Sequence, residues 1–274
     1  MRKSINSTVM QSGFSLIELM VGMTIGLIIT LVVSQVFGTF EGQQRTTSGT
    51  ADAQTNGSIA LFTLSRDLQM AGYGLMGSND DHSPLECTTV TLGAEAASSG
   101  EWAAAAGINN LSPVIVADGT ASDTITVRYG DSLLGGIPTT LTAPPSGQVL
   151  EVGSNLNCKG GDFAVITRNA ACAVTRLADP QNTPTLDSTL ELVIDASETV
   201  PVIATAGGSN ISCLGSWRTK SFSVSNNMMQ LNGEDLIGGV VSIQAQYGVS
   251  VASNNNAITQ WVDPTGTWAA GTLS

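Results

Sequence analysis

The stretch Gly13-Phe-Ser-Leu-Ile-Glu-Leu-Met20 opens an apolar run that continues to Phe40, and this run decides the fold. The 27 residues from Phe14 to Phe40 contain one charged side chain, Glu18. As a helix they would extend roughly 40 Å, enough to cross the ~30 Å hydrocarbon core of a bilayer. The sequence therefore predicts a transmembrane helix over residues 14–40.

Glu18 is the most informative residue of this run. A charge inside a membrane span costs about 2.5–3.5 kcal/mol on insertion scales, so it usually marks a function and a partner. Residues 1–13 are polar and basic, with Arg2 and Lys3, and lack the apolar region of a complete secretory signal. The two positive charges favour a cytoplasmic N-terminus and export of the C-terminal bulk.

Cleavage after Gly13 would create an α-amino group on Phe14, four residues before Glu18. The helix dipole favours a first-turn carboxylate by about 0.3–1 kcal/mol, and a nearby ammonium favours it further. In a stack of related helices, Glu18 of one subunit can neutralise the Phe14 amine of the next. We therefore expect Glu18 to set the register of an assembly.

The sequence Gly13-Phe-Ser-Leu-Ile-Glu18, followed by an apolar helix, resembles the class III signal of type IV pilins and type II secretion pseudopilins. The resemblance implies cleavage between Gly13 and Phe14 by a prepilin peptidase, N-methylation of Phe14 and an assembly role for Glu18. An ordinary signal anchor with an isolated glutamate is the alternative interpretation.

Residues 41–72 are expected to form the periplasmic part of the same helix. Residues 41–58 are polar and contain three glycines, each of which costs roughly 0.5–1 kcal/mol in a helix interior, so a bend or partial melting is possible there. Four apolar residues then recur at helical spacing and predict a face that lies on a sheet: Leu61, Leu64, Leu68 and Ala71. Gly72-Tyr-Gly74 is predicted to end the helix.

The stretch from Leu64 to Tyr73 resembles the helix end of PilW-type minor pilins and of the related J-type minor pseudopilin. The resemblance implies a large minor subunit. The segment from Ile237 to Gly248 also resembles a late strand of PilW-type proteins, which would have one further apolar strand after the Trp261–Trp268 loop. Because the sequence stops at Ser274 without one, we expect a fragment, with a dispensable last strand as the alternative.

Residues 73–274 are predicted to form one β-rich globular domain. Apolar and polar residues alternate in Thr124–Tyr129, with Ile125, Val127 and Tyr129 on one face, and the alternation recurs in Val241–Tyr247. Three further strand candidates are Phe163–Thr167, Leu190–Ile194 and Lys220–Val224. The predicted fold class is α+β: a long N-terminal membrane-spanning helix packed on a mostly antiparallel sheet, the pilin fold.

The four cysteines are predicted to form structural disulfides, because they follow an export signal and lack the Cys-x-x-Cys spacing of a metal or redox site. Of the three possible connectivities we favour Cys158 with Cys172, which bracket a segment that could form one strand and return. Cys87 would then pair with Cys213 by elimination.

Charge and motifs argue against several other functions. A formal charge of −12 repels nucleic acid, so direct nucleic acid binding is not expected. The single histidine, His82, follows Asp80 and Asp81 in a polar run that we interpret as a solvated turn rather than a metal site. No nucleophile elbow or phosphate loop stands out, so we expect a protein that is not an enzyme and needs no cofactor or metal.

The sequence thus favours a minor pilin that primes or caps a type IV pilus, with the inner membrane, prepilin peptidase, other minor pilins and major pilin as partners. Before assembly it would be a single-pass inner-membrane protein with a periplasmic C-terminal domain, and afterwards part of the pilus or cell surface. A minor pseudopilin of a type II secretion system is the nearest alternative. A membrane-anchored periplasmic binding or hydrolytic protein is an alternative of another class.

Overall fold

The chain divides into two compact units, Met1–Thr55 and Asn56–Ser274. The structure, a computed structural model, describes residues 13–75, 85, 87–98, 102, 111–132, 136–156, 158–178, 190–205, 207–250 and 257–269.

A single helix, α1, runs over Leu16–Gln69 and confirms the predicted long N-terminal helix. The polar region 41–58 stays helical throughout despite its glycines. The Thr46 hydroxyl donates to the carbonyl of Gly42 at 3.0 Å and the Thr50 hydroxyl to that of Thr46 at 2.8 Å. The helix itself thus supplies the hydrogen-bond acceptors for these side chains.

The end of α1 was predicted correctly. A turn follows Gln69, and Gly72 and Gly74 adopt φ angles of 73° and 91°, which glycine tolerates without a Cβ clash. The Gly72 N–H donates to the carbonyl of Arg128 at 2.9 Å. The chain thus turns from the helix directly onto a strand of the β domain.

Two five-stranded sheets build the β domain. The first contains β1 (Thr89–Leu92), β4 (Thr139–Thr140), β6 (Phe163–Arg168), β7 (Ala171–Arg176) and β9 (Asn210–Gly215). The second contains β2 (Val114–Ala117), β3 (Thr124–Gly130), β10 (Trp217–Ser225), β11 (Met228–Leu231) and β12 (Glu234–Gly238). Their orders are β1-β7-β6-β9-β4 and β12-β11-β10-β3-β2, and within them only β1 and β7 pair in parallel among the described strands.

Smaller elements complete the described part of the domain. They are β5 (Val149–Glu151), β8 (Glu191–Val193), β13 (Tyr247–Val249), β14 (Gln260–Val262), helix α2 (Ala94–Ser98) and a 3-10 helix at Gly266–Trp268. β5 pairs with β8 and β13 with β14, both antiparallel. The fold is therefore α+β, a long N-terminal helix with a mostly antiparallel β domain, as in the pilin fold.

Most of the predicted strands are confirmed. Thr124–Tyr129 lies in β3, Phe163–Thr167 in β6 and Lys220–Val224 in β10, while β8 covers the centre of Leu190–Ile194. The structure differs at Arg128, which was predicted on the polar face of β3 but is 2% exposed. This burial lowers the pKa of its guanidinium.

The predicted strand Val241–Tyr247 is wrong over most of its length. Only Tyr247 belongs to a strand, β13, and residues 241–246 have no strand assignment. The sequence has the alternation of a strand, but no neighbouring strand among the described residues pairs with this segment. Alternation predicts which side chains share a face, whereas strand formation also needs a partner.

Helix α1 packs on the second sheet through a face that differs slightly from the predicted one. Leu64 is buried and Leu68 and Ala71 are partly buried against the sheet core, as expected. Leu61 is 69% exposed, and Ala60, at 7% exposure, takes the buried position instead. The contact face thus keeps three of its four predicted residues and continues to Ala60, which lies one helical turn before Leu64.

An ion pair fixes this helix face to the sheet, and the sequence did not predict it. Asp67 is 7% exposed on α1, and its Oδ1 accepts a hydrogen bond from Nζ of Lys220 in β10 at 2.8 Å. The ammonium of Lys220 also lies 5.8 Å from the centre of the Tyr129 ring. The hydrogen bond to Asp67 raises the pKa of Lys220.

Three clusters of buried apolar residues form the described core. The cluster beneath α1 includes Ile125, Val127, Phe222 and Met229 of the second sheet. A second cluster contains Trp102 and Trp217, which are at most 1% exposed and stack with ring centres 4.7 Å apart. The third lies on the first sheet around Ile166 and Ile211.

The favoured disulfide connectivity is wrong. The structure joins Cys87 to Cys172 and Cys158 to Cys213, with Cα–Cα distances of 5.7 and 5.2 Å. All four cysteines are therefore paired, but neither predicted pair forms.

Strand register explains this connectivity. Cys172 lies opposite Thr167, near the turn between β6 and β7, whereas Cys158 precedes the far end of β6. The two cysteines thus sit at opposite ends of one hairpin. Cys213 in β9 lies opposite Ala164 at the start of β6, within reach of Cys158, and Cys172 lies beside β1, next to Cys87.

The disulfide pairs can be distinguished by counting thiols in the unfolded, unreduced full chain. Replacing Cys158 and Cys213 together by serine should leave no titratable thiol, because the other two cysteines remain joined. The control variant Cys158→Ser/Cys172→Ser should leave two. Two thiols in the first variant and none in the control would contradict the connectivity.

Removing the ion pair should destabilise the β domain. Lys220→Met should lower the free energy of unfolding by about 1.5–3 kcal/mol, since it leaves the buried carboxylate of Asp67 without its charged donor. The contribution should be present below pH 10.5, the ordinary pKa of lysine, and be lost as pH rises through the raised pKa of Lys220.

The measurement is urea unfolding of the full chain in detergent, followed by fluorescence of the buried tryptophans. Arg218→Met is the matched control, because the pair of Arg218 with Asp131 is also short, at 2.9 Å, but its side chains are 53% and 37% exposed. Such a pair contributes about 0–1 kcal/mol. Equal effects of the two variants would contradict the assigned role of Lys220.

Candidate assembly site

The N-terminus of α1 is built around Ser15. Its carbonyl accepts hydrogen bonds from the backbone N–H groups of Glu18 and Leu19, at 3.0 and 3.2 Å. Gly13, Phe14 and Ser15 precede the helix, and Glu18 lies in its first turn. The carboxylate therefore sits at the positive end of the helix dipole, which favours it by about 0.3–1 kcal/mol.

Glu18 shares a small open groove with the residues one turn before and after it. The groove is lined by Phe14, Glu18, Leu19, Gly22 and Met23. Within the described part of the chain, Glu18 makes no ion pair and its side chain has no hydrogen bond. The carboxylate is thus available to a group from outside the chain, next to the exposed backbone of Gly22.

The rest of the segment presents apolar side chains all round. Seventeen large apolar residues between Phe14 and Phe40 are between 44% and 84% exposed. The helix contains an 18-residue stretch of mean hydropathy 2.4, none of which is buried within the protein. By length and composition, this helix is suited to a single-pass membrane anchor.

The threonine hydroxyls within the apolar segment are satisfied by the helix itself. Thr24 donates to the carbonyl of Val21 and Thr30 to that of Leu27, each at 2.9 Å. Thr39 donates to the carbonyl of Gln35 at 3.0 Å. Because unsatisfied polar groups are costly in hydrocarbon, these internal bonds make the threonines compatible with lipid.

The structure brings together some of the predicted site residues. Gly13 and Phe14 immediately precede α1 and Glu18 lies in its first turn, and no described residue other than its chain neighbours comes within 4 Å of the position that a side chain at Gly13 would take. Arg2 and Lys3 lie outside the described residues, as do Asp80, Asp81 and His82. Among the residues that are described, no three His, Cys, Asp or Glu side chains cluster as metal ligands would.

Sequence reasoning did not single out Gly22 and Met23 as neighbours of Glu18. The signal was available, because helical residues four apart lie on one face, and Phe14, Glu18 and Gly22 have this spacing. The small Gly22 keeps the approach to the carboxylate open.

Comparison with known proteins gives one match. The family model described as the prokaryotic N-terminal methylation motif matches residues 9–34. Neither the curated proteins nor the solved structures contain a significant match to the chain. The motif and the apolar helix together support a type IV pilin-like protein.

The match covers the residues around the predicted processing site and 21 of the 27 residues of the apolar segment. It supports processing by a prepilin peptidase and assembly at the membrane, since this motif is the class III signal of pilins and pseudopilins. Proteins that carry it are typically structural subunits.

Charges within the apolar segment should prevent stable insertion of this pilin-like chain. Ile28→Arg/Leu31→Arg should shift the protein out of the membrane fraction that resists alkaline extraction, because each arginine near the span centre costs about 2.5–3.5 kcal/mol. The matched control is Ile59→Arg/Phe62→Arg, at apolar residues of the same helix that are 48% and 68% exposed outside the predicted span. Full retention of the first variant would contradict a membrane-spanning role for residues 14–40.

Proposed function

We propose that the chain is a minor pilin of the PilW type that assembles into, and helps prime or cap, a type IV pilus. The observation that carries this proposal is an exposed apolar segment, residues 14–40, whose single charge, Glu18, lies in the first turn of α1 without a partner among the described residues. Such a helix fits a stack of similar helices, in which apolar contacts bind and one ion pair fixes the register.

Processing would prepare this helix for assembly. Residues 1–13 form the leader, which a prepilin peptidase removes between Gly13 and Phe14, and the new N-terminus of Phe14 is methylated. The open, non-helical chain at Gly13 supports access by the peptidase. Residues 14–40 then hold the protein in the inner membrane, with residues 41–72 and the β domain, 73–274, in the periplasm.

The assembly step pairs Glu18 with the Phe14 amine of a neighbouring subunit. A carboxylate in hydrocarbon is costly, so transfer from the membrane into a filament becomes more favourable when an opposite charge meets it. The groove between Phe14 and Met23 provides the approach. The neighbours are other minor pilins and then major pilin, and the protein supports adhesion, twitching or uptake indirectly.

A minor pseudopilin of a type II secretion system is the second candidate. The matched segment, residues 9–34, favours it equally, because both classes use the same signal and helix chemistry. The two candidates differ in the process that fails without the protein: pilus assembly for a minor pilin, and export of folded substrates for a pseudopilin.

The test compares a deletion strain complemented with the wild type, with Glu18→Ala or with Glu41→Ala. Glu41 is the matched control, because it is an exposed glutamate of the same helix outside the apolar segment. Major pilin in the sheared surface fraction should be lost on deletion and restored by the wild type and Glu41→Ala. Glu18→Ala should restore at least about tenfold less major pilin to this fraction, since loss of a charged contact worth about 1.4 kcal/mol lowers incorporation tenfold.

Immunoblots of membranes should show that both variants are inserted and cleaved like the wild type. Normal piliation in the deletion strain with failed export of folded substrates would assign the protein to a secretion pseudopilus. An uncleaved Gly13, or full function of Glu18→Ala, would overturn the assembly role and favour a membrane-anchored periplasmic binding protein.

A further inference from the structure

An open apolar groove crosses the second sheet beside helix α1, within the unit Asn56–Ser274. Its volume is about 710 Å³. One wall is formed by α1 residues from Gly57 to Leu68, the floor by Ile125 and Met229, and the other wall by the segment Gly239–Gln246. No charged residue lines it.

The rims of the groove expose large apolar side chains. Leu61 on the helix rim is 69% exposed, and Val241 on the opposite rim is 74% exposed. Apolar surface of this kind, around a cleft that is itself apolar, commonly marks a site of interaction.

Residues 242–246 of the segment wall are held along one edge by the loop before β3. The carbonyl of Ile243 accepts the N–H of Asp123 at 2.8 Å, and the N–H of Ile243 donates to Oγ of Ser122 at 3.0 Å. The N–H of Ala245 donates to Oδ2 of Asp123 at 2.8 Å. The backbone groups of these odd-numbered residues therefore point toward the loop before β3.

The other edge of the segment has its backbone groups free. In the described structure, the backbone N–H and C=O of Ser242 and of Gln244 have no hydrogen-bond partner. Exposure alternates from Ser242 to Tyr247, as in an extended chain, so successive backbone groups point to opposite sides. Ser122 and Asp123 do not line the groove, so the free edge is the one that borders it.

We propose that this groove receives a β-strand from a neighbouring subunit, which pairs with the free edge of residues 242–246. The inference rests on the proposed function, because the neighbour is a subunit of the same assembly. Five residues of strand span roughly 17 Å. The incoming strand would present uncharged apolar side chains to Leu64, Ile125 and Met229 at alternate positions, and polar ones to solvent.

The free backbone edge decides in favour of a strand over a lipid chain. Either could cover the apolar floor, but only a strand supplies alternating N–H and C=O groups that can pair with the backbone groups of Ser242 and Gln244. Addition of a strand to an exposed edge is a common mode of recognition, in which backbone hydrogen bonds give affinity and alternate side chains give specificity. It also accounts for the strand-like sequence of Val241–Tyr247, whose residues 241–246 have no pairing strand among the described residues.

The experiment is site-specific photo-cross-linking of the full chain in cells, with a benzophenone amino acid in place of Val241. The expected product joins position 241 to a peptide of another subunit with alternating apolar residues, identified by mass spectrometry. The control position is Val202, which is 95% exposed elsewhere on the domain and should not form this product.

Proline at Ser242 tests the backbone pairing. Ser242→Pro removes the N–H that has no partner within the chain and should reduce the cross-link at least about tenfold. Ser242→Ala is the matched control, since both variants lose the hydroxyl bond to the carbonyl of Ala121 but alanine keeps the N–H. A second variant, Leu61→Glu, places a charge at the exposed rim and should reduce the cross-link to the same extent. Its control, Leu61→Gln, should reduce the cross-link less.

The outcomes separate this inference from the proposed function. A benzophenone at Phe37, in the apolar segment, should cross-link to another pilin-like subunit whether or not the groove is used. Four outcomes overturn the strand-addition site alone. The first is a cross-linked product at position 37 with none at 241, and the second and third are a lipid adduct or a peptide of this same chain at 241. The fourth is a product at 241 that neither Ser242→Pro nor Leu61→Glu reduces. Absence of products at both positions overturns both proposals.

Discussion

The exposed apolar segment Phe14–Phe40 is the constraint on which the rest of the structure depends. Burying one large apolar side chain contributes about 1.5–3 kcal/mol, so its seventeen exposed residues together represent tens of kcal/mol. Transfer of such a surface from water to lipid, or to contact with other apolar helices, is therefore strongly favourable. The segment must lie in lipid or against other helices, and the β domain must fold without its help. The division after Thr55 reflects this independence.

Two carboxylates on α1 show how the helix serves these two environments. Asp67 is buried, and Lys220 of the same chain neutralises it at 2.8 Å. Glu18 lies at the other end of the helix and makes no ion pair with any described residue. The first charge fixes the helix to its own domain, whereas under the proposed function a neighbouring subunit would neutralise the second. The two ends of the helix would then differ in where the opposite charge comes from.

The sequence predicted those features that depend on local composition and periodicity. The helix, its end at Gly72 to Gly74 and strands such as β3 and β6 follow from apolar spacing and glycine conformation. The start of the candidate site was predicted for the same reason, because Gly13, Phe14 and Glu18 form a continuous motif. Features that depend on long-range register were missed. The Asp67–Lys220 pair joins residues 153 positions apart, and Cys158 reaches Cys213 only because β6 lies beside β9.

The error at Val241–Tyr247 has a different physical origin. Its residues have the intrinsic alternation of a strand, and the side chains of Ile243 and Ala245 pack against the core as that alternation requires. What residues 241–246 lack, among the described residues, is a neighbouring strand, which no property of their own sequence can supply. The local pattern therefore predicted correctly which side chains face the core and predicted the strand itself incorrectly.

The two disulfides show where the domain resists deformation. Cys172 and Cys213 lie in strands of the first sheet, and their partners immediately precede β1 and lie in the loop before β6. The second sheet, which carries α1 and the groove, contains no cysteine and is held by packing and by the Lys220 pair. Covalent links restrict the unfolded chain and hold the first sheet, but leave the edge of the groove free of cross-links. The same domain thus combines a cross-linked first sheet with an edge, residues 242–246, that has no neighbouring strand among the described residues.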